Sequence, residues 1–147
     1  MQSHVSIRIA DSADYASVGA AYTAWGYRGG IAPDDVVYIA ERQGELIGAV
    51  RRTLEHGTTM LRGLFIAPGE RRHGLGSKLL RAFVADLHGV ECYCVPYSHL
   101  LTFYAQTGFG QLEEKCAPDF LRERLTAYRA SGLEVIVMRR AALVSDS

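Results

Sequence analysis

The sequence has no excess of charge, almost no lysine and no long apolar run. Its 16 Lys and Arg offset 16 Asp and Glu, which leaves a formal net charge of zero over 147 residues. A nucleic-acid-binding domain ordinarily shows a basic excess or a basic stripe, so no nucleic-acid partner is expected. Lys78 and Lys115 are the only lysines, and the preference for arginine reads as coding bias. The opening stretch MQSHVSIRIA holds no apolar run long enough for a secretory signal or a membrane span, so no membrane partner is expected. Cysteine is scarce and odd in number: Cys92, Cys94 and Cys116. That argues for free thiols and a reducing, cytoplasmic setting. Cys92-x-Cys94 is no metal-ligand spacing by itself, and the two side chains would share one face of a strand. They read as buried core thiols, and no metal is expected.

What is present is ordinary globular usage, 48% hydrophobic and 22% charged, and a length that fits one domain over residues 1–147. Val5 to Ile9 alternates as a strand does. Asp11 and Ser12 are N-capping types ahead of Tyr15, Val18, Tyr22 and Trp25 at helical spacing. Residues 36–41 and 46–53 flank Gln43-Gly44 as a hairpin, and residues 58–66 follow His56-Gly57 as a third strand. A helix is expected after Gly76, with Leu79, Leu80, Phe83, Val84 and Leu87 on its apolar face. Beyond it lie a strand over 90–95, a helix through Leu100, Phe103, Tyr104 and Thr107, and a strand over 109–115. A helix carrying Leu121, Leu125 and Tyr128 and a final strand over 133–138 complete the chain. Antiparallel strands followed by β-α-β-α describe a mixed α/β sheet.

The segment from Leu64 to Ser77 reads strand, turn, helix start. A helix N-terminus presents backbone N–H groups and the positive end of a dipole, which together hold phosphate. Gly74 and Gly76 keep side chains off that backbone, and Arg71 and Arg72 add charge-assisted donors. Two nucleotide motifs are excluded. Leu75 stands where a Walker loop needs lysine, and Leu79 stands where the dinucleotide fingerprint needs its third glycine. From these residues alone the chain is an α/β domain with a phosphate-binding loop.

Arg71-x-x-Gly74-x-Gly76 resembles the Q/R-x-x-G-x-G/A signature of the GNAT acetyltransferases. Leu64-x-Ile66-x-Pro68 before it fits too, as do the Leu79-Leu80 helix after it and Phe103-Tyr104-x-x-x-Gly108-Phe109 downstream. The resemblance implies a mixed, mostly antiparallel central sheet with flanking helices and splayed fourth and fifth strands. It implies acetyl-CoA as co-substrate and an amine acceptor attacking the thioester in a ternary complex. The backbone of Leu64 and Ile66 would hold the pantetheine arm. Arg71, Arg72, His73, Gly74, Leu75, Gly76 and Ser77 would hold the pyrophosphate. Tyr104 would protonate the leaving sulfur, and Tyr22, Trp25 and Tyr27 would lie over the acceptor. The pattern is broken at Tyr97, where many relatives carry an asparagine that helps hold the donor, so Tyr97 and His99 are expected to face the acceptor instead.

Several alternatives stay open. The acceptor is a small amine or amino acid, a protein N-terminus or a lysine, and a non-catalytic acyl-CoA sensor is the competing class. A homodimer is admitted. The general base is one of Glu41, His99, Glu113 and Glu114, or water. The connection from Cys116 to Gly132 is too long for a hairpin loop, and its helix is expected either to cover the acceptor as a lid or to pack on the sheet.

Overall fold

The computed structural model describes residues 4–143; the extreme ends of the expected 1–147 domain lie outside the described residues. The fold gathers into two compact units. One comprises the residues up to Thr53 together with Leu61–Asp86, the other Leu54–Met60 together with the residues from Leu87 on.

In the first unit, β1 (Val5–Ile9) pairs antiparallel with β2 (Val36–Arg42), Val5 opposite Arg42 and Ile9 opposite Tyr38. β2 pairs antiparallel with β3 (Glu45–Glu55) around Gln43-Gly44. Both turn residues have positive φ, 53° and 77°, as a type I′ hairpin requires. α1 (Tyr15–Ala24) lays Val18 and Tyr22 on Val37, Ile39 and Ala49. β4 (Thr58–Ile66) returns beside β3 and leads into α2 (Leu75–Ala85). Leu75, Leu79, Leu80 and Phe83 of α2 are buried, and Phe83 meets the Tyr38 ring edge-on at 5.5 Å. Each such side chain taken fully from water stabilises by about 1.5–3 kcal/mol, which anchors the start of α2.

The second unit holds the tip of the β3–β4 hairpin. Its His56-Gly57 turn again has two positive φ values, 51° and 74°. β5 (Cys92–Cys94) runs parallel to β4, with Met60 opposite Tyr93 as their one registered pair. β7 (Met138–Arg140) pairs antiparallel with β5 and with β6 (Gly110–Gln111). The strand order is β1-β2-β3-β4-β5-β7-β6. The sheet is therefore mixed and mostly antiparallel, and its fourth and fifth strands part after a single pair, as expected. α3 (Leu101–Ala105) follows a 3-10 turn at Ser98–Leu100 and is stopped by Gly108, φ 96°.

Two expected strands change here, and the last helix takes one of its two expected roles. The strand over 109–115 shrinks to β6, because Glu114–Cys116 coils into a 3-10 turn. The last strand begins at Met138 rather than Leu133. Residues 133–137 are tied to several partners instead of one ladder: Ser98 N–H donates to Glu134, Ile136 N–H to Pro96 and Leu112 N–H to Val137. Of the two roles expected for it, α4 (Asp119–Ala130) takes packing. Leu121 and Leu125 are fully buried with Met60, Tyr93, Val135 and Val137, so the helix cannot lift without uncovering them.

Candidate active site

The segment expected to bind phosphate runs strand, turn, helix start. β4 ends at Ile66, a 3-10 turn spans Pro68–Glu70, and α2 starts at Leu75. Gly74 is the N-cap in a left-handed conformation, φ 74° and ψ 8°. A Cβ built there would meet nothing within 4 Å. The glycine is thus demanded by its backbone angle, and the space above it is open to a ligand. The first intrahelical bond runs from Lys78 N–H to Gly74 O, 3.2 Å, so the N–H groups of Leu75, Gly76 and Ser77 precede the helical ladder. The Leu75 side chain is buried, while Arg71, Arg72 and His73 are exposed.

Arg71 departs from expectation. Its Nε donates to the Ile66 carbonyl at 3.2 Å and its guanidinium lies 4.9 Å from the Phe65 ring centroid. It is folded back on β4 rather than spread along the loop. It also occupies a carbonyl that the pantetheine arm was expected to use. Arg72, whose own φ is 72°, is the loop's remaining arginine.

The aromatic residues expected over the acceptor divide. Trp25 and Tyr27 are half-buried against Phe65 of β4, at centroid distances of 6.3 and 5.8 Å, with Trp25 stacked parallel. Tyr22 is 0% exposed, which removes it from any contact with an acceptor. Its hydroxyl donates to the Gly63 carbonyl at 2.7 Å.

Around that bond lies a buried polar cluster that the sequence reading missed. Arg51 of β3 donates through Nη1 to Asp35 Oδ2 and through Nη2 to the Tyr27 hydroxyl, 2.9 Å each. Asp35 Oδ2 also accepts the Ala32 N–H at 2.9 Å. Burial pushes the Tyr22 phenol well above the usual tyrosine range, and the Arg51 charge only partly offsets it. Burial works against the Arg51 charge as well, but the two tyrosine oxygens and Asp35 more than compensate and raise its pKa. Two signals were available: an arginine pair inside the otherwise apolar run 46–54, and Gly63 inside a strand, which marks a bulge or a close approach.

The remaining candidates, Glu41 apart, lie in the second unit. Tyr104 is buried on α3, edge-on to Phe103 and Phe109 at 5.1 and 5.9 Å. Tyr97 is exposed and stacks on His99, centroids 5.8 Å apart, so these two are brought together. The carboxylates considered as bases are engaged elsewhere: Glu41 with Arg8, Glu113 with Lys115 and Glu114 with Arg129, at 2.8, 3.2 and 2.5 Å. Among the described residues, no group of three or more His, Cys, Asp or Glu is placed to hold a metal ion, and no helix is long and apolar enough to cross a membrane.

Comparison with known proteins bears on the family and the fold. Residues 33–111, more than half of the chain, match the family model of the acetyltransferase (GNAT) domain. No curated protein matches significantly. Among solved structures, the chain is similar to N-acetylglutamate synthase from Neisseria gonorrhoeae complexed with coenzyme A and N-acetyl-glutamate. That match has TM-score 0.68 and 19% identity, over 98% of this chain and 36% of that one. The chain thus spans only about a third of that protein's length. An acyl-CoA N-acyltransferase from Pseudomonas aeruginosa matches with TM-score 0.68 and 17% identity, over 94% of this chain and 100% of that one. The ribosomal-protein-S18-alanine N-acetyltransferase from Escherichia coli matches with TM-score 0.69 and 13% identity, over 98% and 99%. At these identities the likeness is one of fold.

Proposed function

The chain belongs to the GNAT acetyltransferase family, and on that premise we propose that it transfers an acetyl group from acetyl-CoA to a primary amine of a small molecule or amino acid. The observation that carries the proposal is the left-handed Gly74 turn at the start of an 11-residue helix, open above its α-carbon and flanked by Arg72 and His73. This arrangement suits the pyrophosphate of coenzyme A: backbone N–H groups and a helix dipole face the anion, and no side chain stands in its way. Arg71 would have to release the Ile66 carbonyl for the pantetheine arm to pair with β4 as an added strand does.

The amine nitrogen attacks the thioester carbon, and the carbon–sulfur bond breaks as the amide forms. One proton leaves the amine nitrogen and one is supplied to the departing sulfur. Tyr104 is the proposed donor of the second, because a phenol O–H can protonate a thiolate as it forms. With its candidate carboxylates engaged in ion pairs, the chain leaves the first proton to water or to His99. Any oxyanion on the thioester would be met by a β4 N–H, that of Ile66 or a neighbour.

Calorimetry with acetyl-CoA tests the loop. Gly74→Val forces a β-branched residue into a left-handed angle and places bulk where phosphate would sit, so affinity should fall by at least about a hundredfold in a folded protein. Unchanged affinity discards the loop. Tyr104→Phe should lower kcat by about ten- to a thousandfold with little change in the donor KM. A wild-type kcat in that variant removes Tyr104 from the reaction. A panel of amino acids, polyamines and peptides with free N-termini, read by product mass, identifies the acceptor. Binding of acetyl-CoA without turnover on any of them would favour a sensor.

A further inference from the structure

Strand β4 contains a left-handed residue just before the segment proposed to carry the donor. Gly63 sits in the left-handed region, φ 64°, where a residue with a side chain is rarely found. A Cβ added there would lie 2.8 Å from the Tyr22 hydroxyl, 3.1 Å from Arg51 Nε and 3.1 Å from the Tyr27 hydroxyl. Three polar side chains therefore close on one α-carbon, and one of them, Tyr22, bonds the carbonyl of the same residue.

Stability does not account for this cluster. A buried Arg–Asp pair must repay a desolvation penalty, and apolar residues of similar volume commonly do as well or better in its place. Both side chains here are at most 5% exposed, and Arg51 Nε is buried without any partner, a further penalty. What the cluster does achieve is geometric. Arg51 is fixed by Asp35 and Tyr27. Its guanidinium carbon stands 5.9 Å from the centroids of both the Tyr22 and the Tyr27 rings, and those rings touch at 4.5 Å. Tyr22 is thereby left one position from which to donate. Because burial keeps its phenol protonated, it stays a donor at any working pH.

We infer that Tyr22, held by Arg51 and Tyr27, is a positioning residue for acetyl transfer: its bond to the Gly63 carbonyl sets the direction of the β4 backbone from Leu64 to Ile66. The inference rests on the proposed function, since that direction matters only if the segment holds the acyl donor. Tyr22 touches no reactant and acts through the strand.

The test is Tyr22→Phe, which keeps the ring and removes one oxygen. Binding of acetyl-CoA is compared with binding of ADP, which offers a pyrophosphate to the loop but has no pantetheine arm for β4. Acetyl-CoA affinity and kcat should each fall by about tenfold, the scale of one buried hydrogen bond lost, while ADP affinity stays within about twofold. Tyr27→Phe keeps the Tyr22 hydroxyl and removes only an acceptor of Arg51. It should show the same selectivity at about two- to threefold, and it serves as the test if Tyr22→Phe does not fold. A wild-type protein that binds neither ligand refutes the proposed function and this inference with it. Wild-type binding of acetyl-CoA with an unchanged Tyr22→Phe variant overturns the inference alone. So does a parallel loss of both ligands with a lowered melting temperature, because the hydroxyl would then be merely structural.

Discussion

In the unit built on β1 to β4 and α2, an arginine, an aspartate and two tyrosine hydroxyls meet in the interior. In the unit built on β5 to β7 and α4, the interior is Met60, Tyr93, Ala117, Leu121, Leu125, Val135 and Val137, and the charges lie nearer the surface. The ion pairs Glu55–Arg124, Glu114–Arg129 and Glu91–Arg139 there all keep side chains at least 19% exposed. Among the described residues, the buried polar or charged ones, Asp35, Arg51 and Thr53, all belong to the first unit. An aliphatic interior resists unfolding but tolerates repacking. A buried polar knot adds little net stability and fixes atoms in place. The first unit also contains the glycine loop and the β4 segment, where backbone direction matters to the proposed chemistry.

The sharpest way to break the contrast is Asp35→Ala. It leaves the Arg51 charge buried without its counter-ion and should cost about 3–5 kcal/mol, read as a shifted denaturant midpoint. The double variant Asp35→Ala/Arg51→Met removes the charge as well and should recover most of that loss. If the knot serves position rather than stability, the recovered protein still binds acetyl-CoA more weakly than wild type. A double variant no more stable than Asp35→Ala would show that the pair itself supports the fold.

Leu121→Ala makes the complementary cut in the second unit. The side chain is fully buried, and the expected loss is about 2–5 kcal/mol from transfer and cavity terms. Once corrected for the unfolded fraction, donor affinity should be unchanged. A specific loss of donor binding would contradict the division of roles.

How much of this was legible in the sequence depended on the range of the interaction. Gln43-Gly44 and His56-Gly57 announced their hairpins because two adjacent positive φ values are a local demand. The Gly74 loop was readable from its glycines and arginines, and α2 from its apolar residues at helical spacing, as was the helix with Leu121, Leu125 and Tyr128. Tyr22 was legible as a helix-face residue, but the bond to Gly63 spans 41 positions, and no local pattern encodes it. Arg51 and Asp35 each look like surface residues until the fold encloses both. The contacts of Arg71 with the Ile66 carbonyl and the Phe65 ring were not legible, because an exposed arginine beside a glycine loop gives no local sign of which neighbour it meets. The last strand was mislaid because Val135 and Val137 alternate as strand residues do while their backbone serves several partners.

The smallest effect tests the outer side of the contrast. The Glu114 carboxylate lies 2.5 Å from Arg129 with both side chains about half exposed. A hydrogen bond from Arg129 holds its pKa below the usual glutamate value of 4.5, against a small opposing effect of burial. A depressed folded-state pKa means the unfolded chain binds the proton more readily. The contribution to stability is therefore complete above the unfolded value and is lost as pH falls through the folded one. Screening at this exposure keeps it small. Glu114→Gln should lower the melting temperature at neutral pH by no more than about 2 °C, and Arg129 still has the Val135 carbonyl at 2.9 Å. As pH drops below the ordinary glutamate range the gap between wild type and variant should close, because protonated Glu114 then resembles the glutamine. A gap that is large at neutral pH, or that persists in acid, would mean that the outer charges of the second unit hold its fold as Asp35 holds Arg51 in the first.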